Sequence, residues 1–362
     1  MADVHIPLHA IKGRGAASQL THRFSVDERA GFDDGWGTLD DAAAAPPGLP
    51  PTQVMDELAR SAISRNTSPD VPFSQSINPY RGCEHGCIYC YARPTHSYLN
   101  LSPGLDFETK IIAKRNIAEL LRAELARPNH SPQAIGLGTV TDAYQPVERE
   151  LRLTREVLEV LHAAQHPLAI ITKSSGVERD LDLLAPMAAQ RLASVYVTIT
   201  TLDPALARTL EPRAAAPHRR LRTIRTLVDA GIPVGVSVSP QIPFINEDME
   251  QVLAAAREAG ADRAFYQVVR LPWEVAPLFR EWLQVHHPLR AERVMARIQD
   301  MRGGKDYDGD FATRMRGQGI WADLIHQRFE KACRRLGLNR ERHTLDGSLF
   351  RPPGAAGQMA LF

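Results

Sequence analysis

The chain is organised around one short run, Asn78-Pro79-Tyr80-Arg81-Gly82-Cys83-Glu84-His85-Gly86-Cys87-Ile88-Tyr89-Cys90-Tyr91. It contains Cys83, Cys87 and Cys90 at C-x3-C-x2-C spacing. The remaining cysteine, Cys333, is distant in sequence, so the run supplies three clustered thiols without an obvious fourth. In a large chain with few cysteines, such clustering is typical of metal binding or catalysis in a reducing compartment, and disulfides are not expected.

Three clustered thiols favour an iron–sulfur cluster over a closed zinc site. A structural zinc ion takes four protein ligands, and iron–sulfur clusters are commonly held by four cysteine thiolates. Three thiolates leave one iron without a protein ligand, and a substrate or cofactor can bind at that open position. Gly82 and Gly86 permit the unusual backbone angles that such a tight loop requires. A Cys3His zinc site completed by His85 or His96 stays open as an alternative.

The cysteine loop resembles that of the radical SAM superfamily, whose pattern is C-x3-C-x-aromatic-C, with Tyr89 as the aromatic residue. The residues around it extend the likeness to the branch that contains spore photoproduct lyase. The matching runs are Ser76-Ile77-Asn78-Pro79-Tyr80-Arg81-Gly82-Cys83 and Cys90-Tyr91-Ala92-Arg93-Pro94. The resemblance is very specific at the cysteine loop and extends over roughly Ser74 to Leu283.

The resemblance implies two cofactors, a [4Fe–4S] cluster held by Cys83, Cys87 and Cys90, and S-adenosylmethionine (SAM) chelated to the fourth iron. It implies that the reduced cluster cleaves SAM to methionine and a 5′-deoxyadenosyl radical. The radical then abstracts hydrogen from a substrate that the sequence does not identify. A flavodoxin- or ferredoxin-type electron donor is implied as a partner.

Composition places the chain among soluble globular proteins. Of its 362 residues, 44% are hydrophobic and 23% are charged, and the net charge is +1. A net charge so close to zero produces no overall electrostatic attraction to nucleic acid or to a membrane. No apolar run approaches the ~20 residues that span a bilayer, and residues 1–7 lack the pattern of a secretory signal. We therefore predict a cytoplasmic protein.

Changes in composition predict three parts of the chain. They are a partly irregular N-terminal extension at 1–72, a radical SAM core barrel at 73–285, and C-terminal accessory helices with a tail at 286–362. In the extension, the run Gly13 to Ala17 is interpreted as a flexible linker, and an Ala/Pro tract covers Ala42 to Pro51. Met55 to Ile63 is predicted to form one short helix.

From Phe73 onward, six β-rich runs alternate with amphipathic helical stretches. The predicted strands cover 74–80, 134–140, 168–173, 193–200, 232–238 and 263–269. This alternation predicts parallel pairing with right-handed crossovers. Six units are too few for an eight-unit barrel. The α/β fold of the resembled superfamily, a partial (β/α)6 TIM-like barrel with an open side for a large substrate, fits the count.

Polar residues at the carboxyl ends of these strands are the candidate cofactor contacts, because ligands bind there in parallel barrels. Lys173 ends an apolar strand and suits the SAM carboxylate, and Tyr89 can reach the adenine. Hydroxyl groups that suit the ribose and carboxylate belong to Thr139, Thr141, Thr198 and Thr200. By analogy with the lyase, Thr141, Asp142, Lys173 and Thr198 fall where that enzyme contacts the cofactor. Ordinary strand threonines with satisfied hydroxyls remain the alternative.

One position departs from the lyase pattern. The lyase has a hydrogen-donating cysteine where this chain has Val140, which cannot donate a hydrogen atom. Lyase activity on thymine dimers is therefore not expected, and Cys333 is interpreted as a quiet buried thiol. No catalytic residue beyond the cluster ligands is identified.

Other functions stay open at this level. A non-catalytic iron–sulfur electron carrier would not cleave SAM, and a zinc-binding interaction module would be colourless. Nucleic acid stays open as a substrate, in a DNA-lesion lyase-like repair enzyme. Two basic clusters, one from Arg213 to Arg225 and one from Arg328 to Arg342, are interpreted as solvated helix faces because neither is interleaved with aromatic residues.

Overall fold

The computed structural model of the chain describes residues 9–25, 51–341 and 344–354. The Ala/Pro tract lies outside these residues except at Pro51. The strands of the described part are β1 (Gln53–Glu57), β2 (Ser64–Arg65), β3 (Gln75–Ile77), β4 (Tyr80–Arg81), β5 (Lys110–Lys114), β6 (Ile135–Leu137), β7 (Leu168–Thr172), β8 (Ala193–Thr198), β9 (Val234–Ser237) and β10 (Arg263–Phe265).

Helices follow most of these strands. The α-helices of the described part are α1 (Leu105–Thr109), α2 (Ile117–Leu125), α3 (Glu148–Leu151), α4 (Leu153–Ala163), α5 (Leu181–Ala189), α6 (Pro204–Leu210), α7 (Pro217–Asp229), α8 (Met249–Glu258), α9 (Val275–His286), α10 (Ala291–Asp300) and α11 (Gly319–Leu336). Short 3-10 helices cover Arg93–Leu99, Ser175–Asp180 and Pro288–Arg290.

A seven-stranded sheet in the order β10-β9-β8-β7-β6-β3-β2 forms the centre of the molecule. Parallel pairings join β3, β6, β7, β8, β9 and β10 in chain order, and β2 adds an antiparallel edge. The six predicted parallel strands and the α/β class are therefore confirmed. No pairing joins β10 to β2 in the described part of the chain, so the sheet is open.

The parallel strands are buried because helices cover the sheet. The burial pattern is continuous in β9 and nearly so in β8, as expected for strands with both faces covered. Val195, Val197, Val234 and Val236 belong to one core with apolar residues of the surrounding helices. This packing fixes the strand ends, and with them the polar residues that follow each strand.

Two stretches that the sequence predicts to be helical contain strands. The predicted helix from Met55 to Ile63 is wrong, because Gln53–Glu57 forms β1 and pairs in parallel with β5. The apolar spacing from Phe107 to Leu125 predicts one helical stripe, but this stretch is interrupted, since Ile111 and Ile112 lie in β5 between α1 and α2. β-Branched isoleucines with a pairing partner favour the extended backbone over the helical alternative.

Local capping signals have mixed outcomes. Asp203 followed by Pro204 predicts an N-cap at this position. The prediction is confirmed, because the Asp203 carboxylate accepts a hydrogen bond of 2.8 Å from the Ala205 amide at the start of α6. The spacing of Ser175 and Glu178 predicts a capping box for the helix that follows β7, and this prediction is wrong. Ser174 caps this segment, and Glu178 forms an ion pair of 2.6 Å with Arg219 on α7.

The C-terminal region is helical, as expected. The sequence predicts helices from Ala291 to Met301 and from Trp321 to Leu336, and α10 and α11 cover these segments. Helix α11 packs against α8. Cys333 is buried in α11. Among the described residues, no helix has the length and apolar character that crossing a membrane requires.

Candidate functional site

The cysteine loop is fixed by backbone hydrogen bonds at several points. The Cys83 amide donates to the Phe107 carbonyl at 2.9 Å, and the Ile88 amide donates to the Leu210 carbonyl at 3.1 Å. Cys83 and Cys87 are buried, and Cys90 is partly buried. The loop therefore holds its thiols on a rigid scaffold tied to α1 and to the end of α6.

Two glycines of this loop adopt left-handed backbone angles, as predicted. Gly82 has φ of 77° and Gly86 has φ of 67°. A side chain at Gly82 would meet the Phe107 carbonyl at 2.9 Å, and one at Gly86 would meet the Glu108 carboxylate at 2.8 Å. The loop can follow this path only because both positions lack a Cβ atom.

We expect Gly86→Ala to destabilise the apoprotein by about 1–3 kcal/mol, because a left-handed alanine is strained and its methyl group would displace the Glu108 carboxylate. Gly304→Ala is the matched control, since Gly304 has φ of 82° but no atom within 4 Å of the added methyl group. Anaerobic urea unfolding of both variants measures the difference. Equal destabilisation of the two would contradict a steric role for Gly86.

The chemistry of the three thiols fits an iron–sulfur cluster. Burial raises the pKa of Cys83 well above its ordinary value, and negative charge at Asp142, Cys87 and Cys90 raises it further. Burial also raises the pKa of Cys87 to about 12, although the Lys173 ammonium opposes the shift. Thiolates in this loop therefore need bound metal to compensate their charge, and coordination deprotonates them.

The Cys3His zinc alternative does not fit. In the described part of the chain, no group of three or more His, Cys, Asp or Glu side chains is arranged to hold a single ion. His85 Nδ1 faces Asp142 Oδ2 at 3.3 Å, and His96 Nε2 contacts the Lys110 carbonyl at 3.0 Å. Each histidine thus has one ring nitrogen beside a protein group, and the case against zinc rests on the absence of a single-ion arrangement among the described residues. In a cubane each thiolate binds its own iron, so the sulfurs need not meet at one ion.

A buried ion pair clamps the cysteine loop from behind. Arg93 donates to the Cys87 carbonyl at 2.9 Å and to the Gly86 carbonyl at 3.1 Å. Its guanidinium also pairs with Glu108 at 2.5 Å, and both side chains are fully buried. With the Pro103 and Gly104 carbonyls, each at 3.0 Å, this one planar cation contacts four carbonyl groups and one carboxylate. Such a set fixes the loop more strongly than a single neutral hydrogen bond would.

The N-terminal segment completes this clamp. The amides of Gly15 and Ala16 donate to the Glu108 carboxylate at 3.0 and 2.9 Å. A Cβ atom at Gly15 would lie 1.8 Å from the Gly86 carbonyl oxygen, so the two chain segments touch backbone to backbone. The interpretation of residues 13–17 as a flexible linker is therefore wrong. In this run, only Gly15 gives a sequence signal for the close approach to Gly86, because a glycine has no Cβ atom.

Tyr89 belongs to a buried polar network at the end of β8. Its hydroxyl donates to Glu211, and the Thr200 hydroxyl donates to the same carboxylate at 2.5 Å. Arg220 pairs with Glu211 at 2.5 Å and donates to the Thr198 carbonyl at 3.0 Å. Burial raises the pKa of Glu211, but the charges of Arg220 and Lys173 outweigh it and the net shift is downward.

Lys173 lies near Tyr89, and Asp142 holds the Lys173 backbone. The Lys173 ammonium is 5.9 Å from the centre of the Tyr89 ring. Burial lowers its pKa, but the negative charges of Cys87 and Glu211 outweigh this effect, so the net pKa is raised. Asp142 accepts from the Lys173 amide and the Thr172 hydroxyl, each at 2.7 Å. Burial raises the pKa of Asp142, but His85 and the backbone amides of Lys173 and Tyr144 outweigh this effect, so the net pKa is lowered.

The predicted threonines have different environments. Thr139 Oγ1 is buried without a hydrogen-bond partner within the described ranges, whereas the Thr141 hydroxyl donates to the Tyr80 carbonyl at 3.2 Å. Thr198 supplies its carbonyl to Arg220. The site thus brings Tyr89, Lys173 and Thr200 together, and it leaves one orphan hydroxyl group that a ligand can satisfy.

Sequence reasoning missed the buried charges of this site. Arg220 is only 1% exposed, although the sequence placed it in a basic cluster interpreted as a solvated face. Arg213 and Arg219 of the same cluster pair with Glu84 and Glu178. Arg220 is therefore an internal counter-ion, Arg213 and Arg219 are partly exposed partners of carboxylates, and Arg222 and Arg225 are exposed as predicted. A helical pattern alone could not distinguish Arg220 from the exposed arginines.

Comparisons with known proteins agree with the cysteine loop. Residues 77–258 match the Radical SAM superfamily. The chain is 37% identical over 235 residues to protein Rv2578c of Mycobacterium tuberculosis strain H37Rv, covering 64% of this chain and 69% of that protein. It is 29% identical over 212 residues to protein MJ0683 of Methanocaldococcus jannaschii, covering 59% of this chain and 76% of that protein. The chain belongs to the radical SAM superfamily.

Solved structures of spore photoproduct lyase also align with the chain at low similarity. The complex with dinucleoside spore photoproduct gives a TM-score of 0.47 at 17% identity, covering 78% of each chain. A double mutant with bound AdoMet and dinucleoside spore photoproduct gives 0.49 at 16% identity, again covering 78% of each chain. Radical SAM proteins use a [4Fe–4S] cluster and SAM, the two cofactors expected from the sequence.

Proposed function

We propose that this chain is a radical SAM enzyme in which Cys83, Cys87 and Cys90 hold the [4Fe–4S] cluster and SAM binds the iron that they leave open. The observation that carries the proposal is the largely buried loop of three free cysteines, which is not arranged with other ligand groups around a single ion in the described residues. When bound, the reduced cluster supplies the electron that cleaves SAM, and the resulting 5′-deoxyadenosyl radical takes a hydrogen atom from the substrate.

The residues around the loop bind and orient the cofactor in this proposal. Lys173 pairs with the SAM carboxylate, the ring of Tyr89 contacts the adenine, and the orphan hydroxyl of Thr139 accepts or donates one hydrogen bond. Asp142 holds the Lys173 backbone, so it positions that side chain.

Thr200 acts through the Glu211 network, which keeps Tyr89 in place. Thr141 and Thr198 line the same strand ends. Burial of the site excludes water from the reacting centre.

We further propose that the open sheet curves into the partial (β/α)6 barrel of the superfamily. Tyr91 supports this curvature, because its hydroxyl donates to the Thr139 carbonyl after β6 while Arg270 after β10 stacks on its ring at 4.5 Å. These strands are separated by three others in the sheet. Contacts from both to one tyrosine are expected only when the strand ends wrap around the cysteine loop.

Anaerobic reconstitution with iron and sulfide, followed by dithionite and SAM, tests the function. We expect 5′-deoxyadenosine and methionine to form. A brown protein that binds SAM but never cleaves it would instead support the electron-carrier alternative. A protein that takes up zinc and no iron would contradict the proposal.

We expect Lys173→Met to weaken SAM binding to the oxidised holoprotein by roughly tenfold to a hundredfold, since a charge-assisted contact contributes about 1.5–3 kcal/mol. Lys305→Met is the control, because Lys305 lies exposed in the loop before α11. Isothermal titration calorimetry measures both affinities. An unchanged dissociation constant for Lys173→Met would remove this residue from the cofactor site.

The remaining assignments follow from the same chemistry. A flavodoxin- or ferredoxin-type donor supplies the single electron, and a cytoplasmic location suits thiols that must stay reduced. Val140 is 36% exposed beside the site and carries no transferable hydrogen. A repair reaction that returns hydrogen from this position is therefore disfavoured, and a nucleic-acid substrate remains a secondary candidate.

A further inference from the structure

Arg270 lies at the mouth of the site beside the cluster loop. It follows the segment that continues β10, where Val268 pairs with Gln241. Its guanidinium carbon is 4.5 Å from the centre of the Tyr91 ring, and Tyr91 directly follows the cluster ligand Cys90. Arg270 therefore faces the region where a substrate must lie to reach the cofactor.

The other arginines of this region are already satisfied by protein groups. Arg314 pairs with Asp70 at 2.5 Å, and Arg302 donates to four backbone carbonyl groups that include Val269 at 2.8 Å. For Arg270, by contrast, no carboxylate in the described ranges lies within 4.0 Å. Of these three arginines, Arg270 is the one with hydrogen-bond donors still available to a ligand.

The surroundings make an unpaired charge costly. Burial lowers the pKa of Arg270, although the neighbouring Tyr91 and Tyr307 hydroxyl groups shift it in the opposite direction. Arg314 and Asp70 also face it. A partly desolvated cation without a counter-ion is unfavourable. Groups held at such a cost in a cleft are candidates for ligand binding.

The contact with Tyr91 uses the π-face of that ring and none of the hydrogen-bond acceptors that the guanidinium could take. The planar fork of N–H donors of an arginine matches the two oxygens of a carboxylate or phosphate. The Tyr91 hydroxyl is held by the Thr139 carbonyl. This bond fixes the ring and, through it, the orientation of Arg270.

We propose that Arg270 binds an oxyanion of the substrate, a phosphate or a carboxylate, and thereby holds the substrate beside Tyr91 and the cluster loop. This inference rests on the proposed function and names the substrate class of the same site. It makes Arg270 a substrate-binding residue and Tyr91 the residue that positions it.

Titration of inorganic phosphate and, separately, acetate into the holoprotein tests the proposal. The cluster is kept oxidised and SAM is saturating, so that the region of Lys173 is filled and no cleavage occurs. Binding is read from the NMR shifts of the arginine side chains. We expect at least one anion to bind, and Arg270→Gln to weaken it tenfold or more. Arg270→Lys should retain part of the affinity because it keeps the charge without the fork.

Each outcome has a defined meaning. Binding of phosphate alone assigns a phosphorylated substrate, acetate alone assigns a carboxylate, and binding of both assigns the shared chemistry. Arg127→Gln, at an exposed position after α2, should bind like the parent protein. Affinity unchanged in Arg270→Gln, or no binding of either anion to the parent protein, would overturn the inference.

The anion site and the proposed function can fail separately. If neither anion binds but deoxyadenosine still forms, the proposed function survives and the role of Arg270 is rejected. If an anion binds through Arg270 but SAM is never cleaved, the anion site survives and the proposed function is rejected.

Discussion

Alanine in place of Cys87 is expected to leave the reconstituted protein without its [4Fe–4S] cluster, and deoxyadenosine formation should fall to the rate seen without protein. The physical reason is that two thiolates cannot hold a cubane in a buried loop whose remaining groups carry no further soft ligand. Cys83→Ala and Cys90→Ala should behave alike. Iron and sulfide analysis, visible absorption and product chromatography measure the effect.

Cys333→Ala is the matched control, because Cys333 is also a buried thiol but lies in α11. Its replacement should leave iron content and deoxyadenosine formation unchanged. The ligand assignment would be contradicted by a Cys87→Ala variant that retains full iron content, or by a Cys333→Ala variant that loses it.

Glu108→Gln is expected to lower the free energy of unfolding by about 3 kcal/mol, since Arg93 would keep a buried charge without its partner. The substitution preserves shape but removes the negative charge that Arg93 and the amides of Gly15 and Ala16 share. Because Arg93 also holds the Cys87 carbonyl, we expect the variant to lose its cluster faster during anaerobic chelation. Urea unfolding of the apoprotein and the rate of iron release measure the two effects.

A double-mutant cycle separates charge from packing in this clamp. Arg93→Met alone should also destabilise the protein, and adding it to Glu108→Gln should cost less than the sum, because no charge then remains buried. Glu119→Gln, at an exposed position of α2, is the control. If Glu108→Gln unfolds within about 0.5 kcal/mol of the parent protein, a range typical of surface substitutions, the clamp has no energetic role.

The parts of the fold that local sequence determines could be predicted. The runs 168–173 and 193–200 are apolar and β-branched, and they became β7 and β8. The cysteine spacing and its two glycines identified the loop because the chemistry lies within a few residues. Asp203 with Pro204 gave a helix start for the same reason.

The parts that depend on distant partners could not be predicted. β1 exists because it pairs with β5, more than fifty residues away in the chain. Glu108 meets Gly15 across 93 positions, and Tyr89 meets Glu211 across 122. Arg220 looks like any exposed helical arginine until the fold buries it against Glu211. Charge burial is a property of the assembled core, and periodicity does not report it.

The most direct test of the central claim is magnetic resonance of the cluster with labelled SAM. Electron–nuclear double resonance of the dithionite-reduced protein is recorded with SAM that carries 15N in its amino group and 17O in its carboxylate. Direct chelation at the iron that Cys83, Cys87 and Cys90 leave open predicts hyperfine coupling from both labels. A reduced cluster whose spectrum shows neither coupling at saturating SAM would contradict the account, because the open iron would then not be the cofactor site.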